Sequence, residues 1–204
     1  TVVGLRTKKE LEGISCLSLD EVIPDKKAIC TSRSFGKDQT EPEQLEEAVA
    51  TFAVRCAEKL RRQQMAASQI MVFIHTNAFR AELPQYARNR VISLASPTNS
   101  SIELVKTAGE ALRSIYRKGF QYKKAGVIVT GLVPEQEIQQ DLFSAKADPK
   151  QQKLMESLDK LNRQPDNPLV KIATQGTDRK WRLRQEKLSQ RYTTRWSEIL
   201  EIKT

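Results

Sequence analysis

Apolar and polar positions alternate in blocks along the first two thirds of the chain. Four short stretches are rich in β-branched and apolar residues and have strand length: 28–33 (AICTSR, closed by Ser34, Phe35 and Gly36), 70–76 (IMVFIHT), 90–94 (RVISL) and 122–132. Two others show the three-and-four spacing of an amphipathic helix. Residues 41–64 place Leu45, Val49, Phe52, Cys56 and Leu60 on one stripe, with Pro42 in the first turn and Lys59, Arg61 and Arg62 at the end. Residues 101–118 place Ile102, Val105, Ala108, Leu112 and Ile115 on one face, and Gly119 is positioned to stop that helix. Residues 1–13 read as the end of a helix closed by Gly13, and Pro24, Asp25, Lys26 and Lys27 as a basic linker.

The order is β-α-β-β-α-β, an α+β arrangement that puts both helices on one face of a sheet and leaves the other face free. A free sheet face that meets nucleic acid carries polar and basic residues. Arg33, Ser34, Arg90, Lys123 and Lys124 lie in or beside the strands and are the candidate DNA contacts. The same positions also suit strand-end charges on a solvated surface.

Beyond the last strand the pattern breaks. In the stretch 139–143 (QQDLF), Leu142 and Phe143 sit among polar residues where no apolar period requires them. Apolar side chains in a polar connector either pack back on their own domain or are offered to a groove on a partner. The Gln-x-x-Leu-Phe pattern resembles the sliding-clamp binding peptide of bacterial DNA polymerases. In that reading Leu142 and Phe143 fill an apolar pocket, worth about 1.5–3 kcal/mol each, with Gln139 and Asp141 among the contacts. A helix over 149–163 follows, with Leu154, Leu158 and Leu161 on one face, and then an alternating Val170-Lys171-Ile172. In the tail, Arg and Lys are interleaved with Trp181 and Tyr192, a mixture that either stacks bases or anchors a protein partner.

Charge sharpens this picture. The chain of 204 residues has a formal net charge of +9, from 34 basic and 25 acidic residues. Residues 1–143 hold 20 basic and 17 acidic residues, net +3; residues 144–204 hold 14 and 8, net +6. A polyanionic partner is favoured, nucleic acid first. Cys16, Cys30 and Cys56 are odd in number and widely spaced, which fits buried thiols in a reducing cytosol better than a disulfide frame or metal site. No apolar run reaches membrane-spanning length and no signal peptide is evident. The first residues, Thr1-Val2-Val3, lack Met and read as an internal start within a longer protein. No catalytic constellation appears. His75, the single histidine, lies in an apolar strand and reads as a packed core residue; the adjacent Asp20 and Glu21 are weak evidence for a metal site.

Four motifs in order resemble one family: 30–36 (CTSRSFG), 122–127 (YKKAGV), 139–143 (QQDLF) and 188–195 (LSQRYTTR). The chain resembles the C-terminal half of the UmuC-type Y-family translesion DNA polymerases, over nearly its whole length. The resemblance implies the end of a thumb at 1–13, a linker at 14–27 and a little finger at 26–132 that grips template DNA through its uncovered sheet face. It further implies a connector with the clamp peptide at 133–147 and a basic C-terminal interaction region at 148–204. Palm and fingers, with their two Mg ions, would lie outside this sequence, so no cofactor is expected in it and no polymerase activity from it alone. Implied partners are DNA, the sliding clamp, a UmuD′-like subunit and the RecA filament, in the bacterial cytoplasm at the nucleoid. A stand-alone DNA-binding module and a protein-interaction adaptor are the alternatives.

Overall fold

The computed structural model describes residues 1–16, 26–138, 149–162, 168–177, 181, 183 and 188–199. A first helix, α1 (Val2–Leu11), buries none of its residues and is followed by Gly13 at φ +80°. Then come β1 (Ala28–Gln39), α2 (Pro42–Arg62), β2 (Met65–Thr76), β3 (Ala87–Thr98), α3 (Ser101–Ile115) and β4 (Tyr122–Pro134), as the apolar pattern predicts; α4 (Pro149–Leu161) follows. The strands are longer than their apolar cores, because polar residues at their ends still join the hydrogen-bond ladder.

The four strands form one antiparallel sheet in the order β1-β4-β2-β3. The last strand therefore enters between the first two, and each helical crossover steps over one strand. α2 packs over β1 and β4, α3 over β2 and β3, and the two helices pack against each other. The core lies between this helix pair and the sheet. Leu45, Val49, Phe52, Cys56 and Leu60 of α2 are all buried, as their spacing predicts. They meet Ile29, Ile70, Val72, Ile74, Ala125, Val127 and Val129 from the sheet.

Several expectations change. On α3 the buried face is Leu104, Val105, Ala108, Ala111, Leu112 and Ile115, while Ile102 is exposed. Val105, Ala108, Leu112 and Ile115 are buried as their spacing predicts, and Leu104 takes the place expected of Ile102. α3 ends at Ile115, and Gly119 (φ +94°) serves the turn that follows, not the helix end. His75 is exposed, not packed in the core, because it alternates with Ile70, Val72 and Ile74 and so takes the other face. Of the three thiols only Cys56 is buried; Cys30 is exposed and Cys16 intermediate.

The C-terminal stretch also touches the core. α4 buries Met155, while Leu154 and Leu161 of the expected apolar face are exposed, and an ion pair joins the helix to α2. The Arg61 guanidinium makes a bidentate pair with Asp159, at 2.6 Å to each carboxylate oxygen, and also donates to the Asn99 carbonyl and the Ser101 hydroxyl. Such forked, charge-assisted bonds fix orientation as well as proximity. Residues 168–172 are not a strand. They lead into a short 3₁₀ turn, Ala173–Gln175, and Asn162 exchanges two hydrogen bonds with Val170. Trp181 is buried edge-on against Phe35 and Phe52, with ring centroids 6.3 and 5.4 Å apart, and its carbonyl accepts from the Gly36 amide. It serves this chain's own core, which neither expected role for the tail aromatics foresaw.

Candidate nucleic-acid interface

Antiparallel partners directly opposite each other point to the same side of a sheet, so the register sorts the strand residues into two faces. The pairs Thr31–Val127, Arg33–Ala125, Ile70–Val129 and Ile74–Ala125 lie on the helix-covered side. The open side carries Cys30, Ser32 and Ser34 of β1, Lys124, Gly126, Ile128 and Thr130 of β4, Gln69, Met71, Phe73 and His75 of β2, and Asn89, Val91 and Ser93 of β3. None of these is acidic. The carboxylates of residues 26–138 sit on the helices, the loops and the far end of β1. A face without carboxylates suits a polyanion because no buried repulsion has to be offset.

The five candidate contacts are not brought together. Ser34 and Lys124 face each other across β1 and β4 on the open side. Arg33 pairs with buried Ala125, and Arg90 pairs with buried Val72; both take the helix side of the sheet, exposed on the two edge strands. Lys123 falls where the β2–β4 register shifts. Its ammonium donates to the Phe35 carbonyl at 2.8 Å and pairs with Asp38 at 3.4 Å. Asp38 is shared with Arg80, at 3.5 Å. Lys123 thus ties β4 to the distorted end of β1. Residues 139–143, with Gln139, Asp141, Leu142 and Phe143, lie outside the described residues.

On the open face the candidate Lys124 stands beside Phe73 and His75, which were not among the candidate contacts. The Phe73 ring lies across β4 above Gly126. A Cβ at Gly126 would stand 2.3 Å from Phe73 Cζ and 2.6 Å from Ser32 Cβ, so only glycine leaves room for the ring. The His75 ring is 5.1 Å from Phe73, tilted by 36°, and Lys124 Nζ stands 5.9 Å from the Phe73 centroid. Partial burial, with the Lys124 charge adding to it, lowers the His75 pKa and favours the neutral ring. The strict alternation of residues 70–75 was the signal for this cluster, once the buried partners were known.

Beside α2, Lys59 donates to the Cys30 carbonyl and the Thr31 hydroxyl, at 3.4 and 3.2 Å. At the other end of the sheet, Arg88 and Arg117 stand 5.8 and 5.5 Å from the Tyr86 centroid. Lys59 and Arg117 lie outside the strands, and Arg88 takes the helix side of edge strand β3, so none of these cations is on the open face. Among the described residues no three His, Cys, Asp or Glu side chains are grouped to hold a metal ion. No helix of the described residues is long and apolar enough to cross a membrane.

A four-stranded antiparallel sheet covered by two helices on one side, with a carboxylate-free face on the other, defines an α+β domain in this part of the chain. Residues 26–142 match the model of the impB/mucB/samB family C-terminal domain, and the chain belongs to that family. Residues 152–202 match a second model, a domain of unknown function (DUF4113). The chain is 38% identical to protein UmuC of Salmonella typhimurium over 204 residues, covering 99% of this chain and 48% of that protein. It is 38% identical to protein ImpB of Salmonella typhimurium over 98% of this chain and 47% of that protein. With protein MucB of Escherichia coli the identity is 39%, over 97% and 47%. The chain spans about half the length of these curated relatives. Among solved structures, a complex of the β-clamp processivity factor and the little finger domain of PolIV aligns at TM-score 0.37 and 19% identity, over 57% of this chain and 99% of that one. A score that low carries no conclusion about this chain.

Proposed function

We propose that the chain is the non-catalytic C-terminal part of an error-prone translesion DNA polymerase acting in SOS repair and mutagenesis, in the bacterial cytoplasm at the nucleoid. The observation that carries this reading is the 38% identity to UmuC, which runs through 99% of the chain and not only through its sheet domain. The sheet holds template–primer DNA from its open side, through Ser34 and Lys124, with Arg33 and Arg90 contributing from the edge strands. The stretch 139–143 holds the sliding clamp by inserting Leu142 and Phe143 into an apolar pocket. A polymerase with a weak grip on DNA gains from both, because tethering to a clamp raises the local concentration and makes two modest affinities act together. A UmuD′-like subunit and RecA are further partners by family likeness. Leu188, Tyr192, Trp196 and Ile199 are exposed at the C-terminal end and suit such contacts.

The test has two parts. Duplex primer–template binding is titrated between 50 and 200 mM salt, where the logarithm of affinity falls against the logarithm of salt concentration with a slope of about 0.9 per phosphate contact. Lys124→Ala is expected to lower the slope by about one contact. Clamp binding is measured for wild type and for Leu142→Ala/Phe143→Ala, and the double variant is expected to lose it. A folded chain that binds no DNA overturns the sheet assignment, and clamp binding that survives in the double variant overturns the peptide assignment.

A further inference from the structure

We propose that α4, residues 168–177 and Trp181 act together as an intramolecular strap, which docks along a polar stripe of α2 and holds or releases as one unit. Most of this stretch falls in the matched segment of unknown function, 152–202. Among the described residues from 149 onward, only Met155, Gln175 and Trp181 are buried. Three side chains so far apart in sequence make no core of their own, and a small segment without a core or a staple does not fold alone. Trp181 belongs instead to the core of the sheet domain, and Ile172 packs on that core. The strap therefore ties the C-terminal region to the sheet domain.

Two stripes at helical spacing share α2. Leu45, Val49, Phe52, Cys56 and Leu60 are buried in the core. Glu47, Thr51, Val54, Glu58 and Arg61 form the second stripe, stepping by four and three residues. The strap meets that stripe from one end to the other, in antiparallel order. Asp159 forks onto Arg61 at 2.6 Å. On the same helix Gln151 donates to the Ser100 hydroxyl at 3.0 Å and Gln152 to the Glu135 carboxylate at 3.3 Å. Next, Asn162, Val170 and Gln175 close on Thr51, Val54 and Glu58 around a gap of about 20 Å³, room for a single water. Gly176, at φ +63°, lies so near Glu47 that a Cβ would stand 2.3 Å from its carboxyl carbon. Last, the Trp181 carbonyl takes the Gly36 amide at 3.3 Å, where the pairing of β1 with β4 is interrupted. Each contact is modest alone, and one chain carries them all, so each raises the local concentration of the next. The stripe is largely polar, which is why an apolar period does not reveal it.

The test uses the full chain with Trp196→Phe, which leaves Trp181 as its single tryptophan. Docking is read by acrylamide quenching of Trp181 and by exchange of the Gly36 amide, at the opposite end of the strap from Asp159. Asp159→Ala removes one anchor. It is expected to speed exchange at Gly36 and in α4 by the same factor, about fivefold for one partly solvated ion pair. Trp181 quenching should rise with it, while β2 and β4 amides keep their rates. Gly176→Ala, in the middle of the strap, should act in the same direction at both ends. Faster exchange in α4 with Gly36 and Trp181 unchanged would show separate contacts and overturn the strap. Equal acceleration in β2 and β4 would show that the segment does not release apart from the sheet, and overturns it too. Trp181 burial that rises with chain concentration would place the segment on a second copy and overturn the intramolecular docking.

Discussion

Along β2, neighbouring residues face different surroundings. Ile70, Val72 and Ile74 are fully buried beneath the helices, whereas Met71, Phe73 and His75 point to the side that no helix covers. The same holds along β4, where Ala125, Val127 and Val129 are buried and Lys124 and Ile128 are on the open side. The covered face is built from Ile, Val and Ala, whose value is the apolar area that they remove from water. The open face mixes apolar Met71, Phe73, Val91 and Ile128 with residue types that a core does not favour: a lysine, a histidine, serines and a mid-strand glycine. One face supplies stability, and that leaves the other free to carry recognition. Gly126 illustrates the division. A strand glycine costs roughly 0.5–1 kcal/mol against alanine on conformational grounds, yet here it makes the space into which Phe73 fits.

The largest test of that division compares a covered aromatic with an open-face aliphatic. Phe52→Ala removes a buried ring packed against Trp181 and is expected to cost about 3–5 kcal/mol in chemical denaturation. Val91→Ala, at a position 48% exposed, should stay within about 0.5 kcal/mol. Similar losses for the two would break the comparison. Next in size is Gly126→Ala. The added methyl meets ring and Ser32 atoms closer than 3 Å, so Phe73 must swing away, at about 1–3 kcal/mol. A neutral result would mean that the ring is not held across β4.

A third test asks whether α4 belongs to the covered side. The coupling between Arg61→Ala and Asp159→Ala in a double-mutant cycle should be about 1 kcal/mol, since the Asp159 carboxylate is partly solvated. Amide exchange should accelerate in α4 and not in β2 or β4; equal acceleration everywhere would show that α4 is not a separate layer. The smallest effect leaves stability alone. Cys30 is exposed on the open face, whereas Cys56 lies under α2, where burial pushes its thiol up to about 11. The thiolate is the nucleophile, so at pH 8 a small alkylating agent should modify Cys30 and spare Cys56. Cys56 should gain reactivity only as the pH approaches 11 or the chain unfolds. Equal labelling of the two at pH 8 would contradict the burial difference.

Much of the fold was legible before the coordinates. Strand and helix identities, their order and the α2 stripe followed from periodicity, because spacing along one element is a local property. The approximate reading of α3 and α4 shows the limit. Ile102 and Leu154 satisfy a helical period as well as Leu104 and Met155 do, and only the packed neighbours decide which pair is buried. The candidate interface was less legible for the same reason. Arg33 and Arg90 carry the right charge, but their faces depend on pairing with Ala125 and Val72 across strands distant in sequence.

The amino-acid sequence by itself determined the α+β class, the two-helix cover, the basic balance and the four motifs of the family. These depend on residue type and local spacing. The tertiary structure alone decided that β4 and β2 occupy the centre of the sheet, that Phe73, His75 and Lys124 meet on its open face, and that Trp181 closes the core from the tail. Alternation says that neighbouring strand residues take opposite sides. Which side is covered is fixed only when helices pack, and each shift in register, as between His75 and Thr76, re-aims the side chains beyond it.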